Sequence, residues 1–433
     1  MKKSNNIFLG KKILIYGLGK SGTSSYNFLK NKAEVYLFDD EIKKNVKSKS
    51  NQRLNNLNEI SKINFDRIII TPGIDILDCK LSKTLKKNFS KIYTDLDVFY
   101  SFYKNNSITI TGTNGKSTTA KLLHEVLLDQ KFDARLIGNI GNPALSEKRI
   151  TKRTIFVIEA SSYQLDYSKI FTSKYAAILN ISPDHIERHK NLKNYINAKF
   201  KLLFSQPNKS IAFVKKNDQL IRKKINNSNL KQKIIRVNTS ENKKILNQLK
   251  NKYFLSFGNK ENLAFVLSIS KILRLNNKIL LSTINKFKGL NYRQQVIIEK
   301  KNLTIINDSK STSFASSENL LKNLNGVYWI LGGIPKQGDQ FKLSKRHCKN
   351  FKVLIFGKYY KEFKKIIKSK IAIKNFKNLK EVLSEIFLDI KKKQLKNNII
   401  LFSPAGASFD NFKNFEDRGL YFNKLIKKFL NAK

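Results

Sequence analysis

The chain predicts an α/β protein of three lobes, each a parallel sheet wrapped by helices, and three observations carry that prediction. Short β-branched apolar runs alternate with amphipathic helical runs along the chain, the pattern of parallel strands joined by helical crossovers. Two glycine-rich turns, at 17–22 and 112–118, each stand between a predicted strand and a predicted helix. A third alternating run, 303–402, places polar loops after its strands, where open sheets bind ligands. A chain of 433 residues holds two to four domains with their own cores. The elements divide it into 1–105, 106–289 and 290–433.

In the first lobe, 12–16 reads as a strand, followed by Gly17-Leu18-Gly19-Lys20-Ser21-Gly22 and an amphipathic segment to about 29. Residues 35–38 form a second strand ending in Asp39-Asp40. G-x-G-x-x-G with an acid about twenty residues on is the dinucleotide fingerprint of a Rossmann-like domain. Two chemistries fit it: the NAD of a dehydrogenase, or the diphosphate of a nucleotide-linked substrate on the same helix N-terminus. Another strand, 68–70, leads to Thr71-Pro72-Gly73 and points to the same crevice.

The second lobe opens with a strand at 107–111, and a helix is expected beyond Thr118 with Leu122, Leu123, Val126 and Leu127 on one face. Between them lies Gly112-Thr113-Asn114-Gly115-Lys116-Ser117-Thr118. The glycines let backbone N–H groups close around phosphate oxygens at the positive end of the helix. Lys116 supplies a mobile cation, and Ser117 or Thr118 a hydroxyl for Mg²⁺. The general pattern asks for a glycine where this chain has Ile110. The central lobe is therefore expected to be a P-loop ATPase-type domain.

Further along, Gly138-Asn139-Ile140-Gly141 reads as a turn-rich loop. The strand at 154–158 ends at Glu159, a carboxylate at a strand tip beside a phosphate loop, where Mg²⁺ is commonly held. A plain surface carboxylate is the competing reading. The strand at 176–179 delivers Asp184 and His185 to the same edge, against the alternative of a structural histidine. A helix at 195–204 contains Lys199, which composition does not distinguish from the other lysines. Residues 205–255 carry no legible chemistry, and a helix with an apolar face opens near Asn259 and Asn262.

The third lobe has strands at 303–306, 327–331, 353–356 and 399–402, again a Rossmann-like parallel pattern. Asn307-Asp308-Ser309-Lys310-Ser311-Thr312 follows the first, Gly332-Gly333-Ile334-Pro335-Lys336 the second, and a loop ending at Ser408 the last. An amphipathic helix, 422–430, closes the chain.

The totals exclude several classes. No apolar run approaches the ~18 residues a membrane span needs. The start is basic, but Lys11-Lys12 breaks the apolar segment behind it, so no secretory signal is expected. Cys79 and Cys348 have no metal or redox spacing, which suits a reducing cytoplasm. Only four histidines (His124, His185, His189, His347) are available for imidazole chemistry. The net charge of +52 comes from lysines spread through every segment, so no specific nucleic-acid partner is expected. Acidic small molecules would profit from the same field. The chain reads as a soluble cytoplasmic monomer.

Taken in order, the motifs resemble the Mur ligases, the ATP-dependent amide-forming enzymes of peptidoglycan precursor synthesis. T-G-T-N-G-K-S-T, G-N-I-G, E-A-S-S-Y-Q-L, L-N-I-S-P-D-H and N-A-K carry the shared centre. G-L-G-K-S-G with T-P-G, N-D-S-K-S-T, L-G-G-I-P-K and S-P-A-G-A-S-F-D-N-F-K-N-F-E-D-R-G extend the resemblance over nearly the whole chain. It implies UDP-N-acetylmuramoyl-L-alanine and D-glutamate as substrates, joined through an acyl phosphate. It also implies roles. Residues 112–118 would bind ATP, with Asn262, Arg293 and Asp308 completing the nucleotide site. Ser117 and Glu159 would hold one Mg²⁺, and His185 with a carbamate on Lys199 a second. Lys116, Glu159, His185, Lys199 and Arg293 would form the catalytic group. Gly17, Gly19, Asp39, Asp40 and Thr71 would hold the uridine nucleotide, and Asn139 the acyl end. Lys310, Thr312, Lys336, Ser408 and Phe415 would receive D-glutamate, whose two carboxylates need cations and hydroxyls. The chain departs from the family where histidine is common, with Tyr292 before Arg293 and Gly258 before the Asn259/Asn262 pair; Gln294 follows the arginine. A folylpolyglutamate-type ligase would share the central lobe without needing the amino-terminal one. A dehydrogenase would leave the phosphate loop idle, and a nonenzymatic nucleotide-binding module would bind ATP without turnover.

Overall fold

Strand β1 (Lys12–Tyr16) shows how the first sheet is made. Ile13 and Ile15 enter one apolar cluster and Leu14 and Tyr16 another, so both faces are covered. That is why its sequence is a continuous apolar run rather than an alternation. The computed structural model describes residues 6–41, 52–238, 243–255, 257–300, 302–367, 371–393 and 397–431. The basic start at Met1-Lys2-Lys3 lies outside them. With β2 (Glu34–Phe38), β3 (Arg67–Ile70) and β4 (Ile92–Tyr93), β1 forms a parallel sheet of order β2-β1-β3-β4. The order reverses between β1 and β3, so Gly17 and Thr71 stand side by side at the switch point. A Cβ at Gly22 would lie 1.8 Å from the Gly17 carbonyl oxygen; only glycine lets the helix Lys20–Leu29 pack this closely on its turn.

The second sheet contains β5 (Ser107–Thr111), β6 (Ala134–Gly138), β7 (Ile155–Glu159), β8 (Tyr175–Ile178), β9 (Ile211–Lys215) and β10 (Lys233–Val237). Its order is β10-β9-β8-β5-β7-β6, all parallel. Ile110 is buried inside β5, paired with Glu159 and Ala177, so the turn is shorter than the general phosphate-loop pattern and begins at Gly112. The helix begins at Lys116 rather than beyond Thr118, and ends at Asp129. Its predicted apolar face is buried: Leu122, Leu123, Val126 and Leu127 are fully covered, each contributing roughly 1.5–3 kcal/mol.

Both sheets belong to one compact unit, Met1–Phe287. A single carboxylate ties them together. Asp97, in the helix Asp95–Phe102, is buried; its Oδ1 accepts from Ser168 Oγ at 3.0 Å and from the N–H groups of Lys169, Ile170 and Phe171 at 2.9, 2.8 and 2.9 Å.

The second unit, Lys288–Lys433, carries β11 (Gln295–Lys300), β12 (Leu303–Asn307), β13 (Val327–Gly332), β14 (Ile334–Pro335), β15 (Phe351–Phe356), β16 (Ile373–Phe376), β17 (Asn398–Phe402) and β18 (Gly406–Ala407). The main sheet runs β11-β12-β17-β13-β15-β16, and β14 pairs with β18. Strands β12, β17, β13 and β15 are parallel as expected and β16 extends them in parallel, but β11 is an unpredicted antiparallel edge, bulged between Val296 and Ile298. Its apolar run is only Val296-Ile297-Ile298, too short to be read as a strand from sequence. The last helix starts at Phe415, not near 422, because Asn414 Oδ1 accepts from Asp417 N at 2.8 Å and caps it early. Among the described residues no helix is long and apolar enough to cross a membrane.

Candidate active site

At the first switch point the two predicted acids have different situations. Asp39 Oδ2 accepts from Leu18 N and its Oδ1 from Glu41 N, so this side chain fastens the glycine turn to the end of β2. Asp40 Oδ1 accepts from the buried Tyr16 hydroxyl at 2.7 Å. Gly19 is exposed on the turn, and Thr71 Oγ1 stands 2.1 Å from where a Gly17 Cβ would be. Gly17, Gly19, Asp39, Asp40 and Thr71 therefore share one edge. Arg188, from the segment after His185, reaches the same rim. Its Nη1 pairs with Asp75 Oδ1 at 2.6 Å and its Nη2 donates to the Ile74 carbonyl at 2.5 Å.

The phosphate loop lies on β5, the strand between β7 and β8, so Glu159 and the Asp184-His185 segment flank it on either side. Gly115 adopts φ 83°, and a Cβ there would lie 2.0 Å from Asn262 Oδ1; the turn needs glycine and the buried Asn262 packs directly on it. Asn180 holds the loop's shape: its Oδ1 accepts from Asn114 N at 2.8 Å and its Nδ2 donates to Asn114 O at 3.1 Å. Thr113 N donates to Asn180 O at 2.9 Å. Lys116 Nζ rests on the carbonyls of Gly112 and Thr113, at 3.0 and 2.9 Å. Ser117 and Thr118 are buried in the first helical turn.

Glu159 is fully buried. Its Oε1 accepts from Asn139 Nδ2 at 2.9 Å, whereas Oε2 has no hydrogen-bond partner. A buried carboxylate oxygen without a donor is costly unless something positive completes it. With Ser117 in the first turn of the helix that follows the loop and phosphate oxygens to be held by the loop, a divalent cation with oxygen ligands fits this position. Among the described residues no group of three or more His, Cys, Asp or Glu side chains forms a self-sufficient metal cage. A cation here would depend on hydroxyl, imidazole and ligand oxygens as well.

Lys199 is the residue that composition could not single out and burial does. It is 1% exposed, and its Nζ donates to the Gly112 carbonyl at 2.8 Å, the same oxygen that receives Lys116. Burial first, and the Lys116 cation second, push its ammonium well below the usual lysine range; Asp184 and Glu159 act in the opposite sense. The lysine nitrogen is therefore held, out of water, against the phosphate loop. The Tyr195 ring closes the pocket at 4.6 Å from Nζ, and its hydroxyl lies 3.0 Å from Thr113 Oγ1. His185, in the left-handed region at φ 52°, has its Nδ1 2.9 Å from the Tyr163 hydroxyl. His189, for which sequence offered no role, is buried with Nε2 3.0 Å from Ser162 Oγ; burial and then Arg188 push its imidazole down to about 4.

In the second unit, the loops after the adjacent strands β12, β17 and β13 carry the predicted cations and hydroxyls. Lys310 Nζ lies 4.1 Å over the Phe415 ring, Ser408 is buried, and Thr312 and Lys336 are exposed. Asp308 is buried, accepting from Gln294 N at 3.0 Å and from Ser403 Oγ at 2.9 Å; burial pushes its carboxyl up to about 7. Arg293 is flanked by Tyr292 and Gln294 at φ 62° and 49°. The Tyr292 ring is accommodated by Gly419, where a Cβ would lie 2.4 Å from it. Sequence reading gave Arg418 no role. It is fully buried and holds two of these loops through Ser309 O at 2.7 Å and Gly406 O at 2.9 Å.

A central parallel sheet that offers a phosphate turn, a buried unfinished carboxylate and a buried lysine at one edge belongs to a nucleotide-dependent α/β enzyme. Residues 110–280 match the Mur ligase middle domain. The chain is 33% identical to the UDP-N-acetylmuramoylalanine–D-glutamate ligase of Rickettsia felis, over 96% of this chain and 97% of that one. It is 33% identical to the enzyme of the same name from Buchnera aphidicola, over 97% and 99%. The fold is that of the UDP-N-acetylmuramate–alanine ligase of Thermotoga maritima (TM-score 0.58, 17% identity, 98% of this chain and 100% of that one). It is also that of the MurF ligase of the same organism in complex with ADP (TM-score 0.54, 14% identity, 100% and 97%). The chain belongs to the Mur ligase family. That disposes of the dehydrogenase reading of the first glycine turn.

Proposed function

We propose that this chain joins D-glutamate to UDP-N-acetylmuramoyl-L-alanine at the expense of ATP, in peptidoglycan precursor synthesis. The observation that carries this reading is the full-length likeness to relatives named for that activity. The work is divided among the lobes 1–105, 106–289 and 290–433, which serve the uridine nucleotide, ATP and the amino acid.

Residues 112–118 would cradle the triphosphate, and Lys116 would leave the Gly112 and Thr113 carbonyls for its terminal oxygens. Asn262, Arg293 and Asp308 would serve the rest of the nucleotide. Glu159 Oε2 and Ser117 would hold one Mg²⁺, and His185 and Lys199 a second. Burial disfavours the ammonium form of Lys199, which suits carbamate formation: CO₂ adds, an N–C bond forms and one proton leaves, turning a donor into an oxygen-rich anion. Bound there, Mg²⁺ would supply positive charge to offset that on the transferring phosphoryl group. The substrate carboxylate attacks the γ-phosphorus and ADP departs, giving an acyl phosphate. The amine of D-glutamate, whose carboxylates Lys310, Thr312, Lys336, Ser408 and Phe415 would position, attacks the acyl carbon, and phosphate leaves.

ADP release is the direct test, measured with UDP-N-acetylmuramoyl-L-alanine against a panel of D- and L-amino acids. Release that requires both the acceptor and D-glutamate is expected, with ¹⁸O from the substrate carboxylate appearing in phosphate. Folded protein whose ATP consumption ignores both substrates would sink the assignment.

A further inference from the structure

Three buried hydroxyls in the second unit are used by no step above. Ser403 follows β17, Ser317 lies in the helix Phe314–Leu321, and Ser311 stands between Lys310 and Thr312. They are 0, 0 and 3% exposed, so each must find its hydrogen-bond partner inside the protein. They find one another. Ser403 Oγ lies 2.9 Å from Asp308 Oδ2 and 2.8 Å from Ser317 Oγ, which lies 2.8 Å from Ser311 Oγ.

Proton counting gives this row a direction. A hydroxyl has one proton to donate, and an ionised carboxylate only accepts. With Asp308 ionised, Ser403 donates to it, Ser317 donates to Ser403, and Ser311 donates to Ser317. The competing acceptors are poorer. The Ser403 carbonyl is 3.3 Å from Ser317 Oγ and already accepts from Trp329 Nε1 at 2.8 Å. The Ser313 carbonyl is 3.5 Å from Ser311 Oγ. Asp308 Oδ1 is held separately, by Gln294 N at 3.0 Å. One end of the relay is therefore the carboxylate assigned to the nucleotide. The other end is the residue between two side chains assigned to D-glutamate. Ser311 N also donates to the Asp308 carbonyl at 2.9 Å, and the relay fastens this turn to the helix Phe314–Leu321 and to the end of β17.

We propose that Ser317 and Ser403 are positioning residues for D-glutamate, holding the Lys310–Thr312 segment through Ser311 at a place fixed from Asp308. The proposal rests on the functional reading above. Neither hydroxyl touches a reacting atom. Breaking the relay should therefore raise the KM for D-glutamate and leave the KM for the UDP-linked substrate unmoved.

The decisive experiment separates bonding from packing at Ser317. Ser317→Ala removes the hydroxyl. Ser317→Cys fills the same space with a thiol that bonds only weakly, and Ser317→Thr keeps the hydroxyl while adding a methyl group. In both Ser317→Ala and Ser317→Cys the KM for D-glutamate should rise about tenfold, the scale of one buried hydrogen bond left unmade. The KM for the UDP-linked substrate should stay within about twofold of wild type in both, and Ser317→Thr should keep the KM for D-glutamate within about threefold. Ser403→Ala should cost as much as Ser317→Ala. The double variant Ser317→Ala/Ser403→Ala should lose no more than about threefold beyond the worse single one, because members of one relay are not additive. A Ser317→Cys protein with wild-type KM for D-glutamate would overturn the proposal, as would a double variant whose losses multiply. Should Ser317→Thr fail to fold, the contrast of Ser317→Ala with Ser317→Cys decides. Wild-type protein assayed alongside separates the two claims. No amide from wild type counts against the functional reading, whereas amide from wild type with unmoved KM values in the variants counts against the relay.

Discussion

The two glycine turns of the first unit are alike in backbone and unlike in company. Both follow a central parallel strand at a switch point and both open a helix. Around 17–22 stand two acids, one spent on backbone N–H groups and one held by Tyr16, and the cation at the rim, Arg188, is paired with Asp75. Around 112–118 stand two lysines on one carbonyl and a buried carboxylate with a spare oxygen. A glycine turn supplies the socket for a phosphate; whether that phosphate is merely held or is transferred depends on the charges placed beside it.

The strongest way to break this contrast is Lys199→Ala. Loss of about 10²- to 10³-fold in ADP release is expected, with partial recovery when short carboxylic acids are added. Wild-type turnover would show that the second turn does not depend on its buried lysine.

The next effect concerns stability. His189 lies behind the second turn, and its folded-state imidazole sits at about 4, below the ordinary value of 6.5. Between these values the unfolded chain binds the proton and the folded one does not, so stability falls as pH drops from 6.5 to 4. The loss from this group amounts to as much as about 3 kcal/mol. Urea unfolding of His189→Gln against wild type should show a shallower fall over that window. Parallel curves would mean the imidazole is no more buried than a surface one.

The smallest effect sharpens the first turn. Asp40→Asn should raise the KM for the UDP-linked substrate by about tenfold, the scale of one charge-assisted hydrogen bond, and leave kcat within about twofold. A drop in kcat with KM unchanged would place Asp40 in the transfer step and erase the distinction between the turns.

The strand–helix alternation, both glycine turns and the approximate positions of the buried strands were legible because each depends on residues adjacent in sequence. Even there the local signal had limits. The helix after the phosphate loop starts at Lys116, and the last helix at Phe415, because capping groups rather than apolar spacing set their ends. Edge strand β11 was missed because its apolar run, Val296-Ile297-Ile298, is short and followed by the charged Glu299-Lys300.

What sequence alone determined was local geometry: turns that need positive φ, runs that need burial, and the residue types that phosphate and Mg²⁺ demand. Lys199, Asn180, His189 and Arg188 acquired their character only when distant segments met. Desolvation and hydrogen-bond direction belong to a place rather than to a residue. One lysine among many has its ammonium form disfavoured only where the fold removes water from it and sets a second cation nearby.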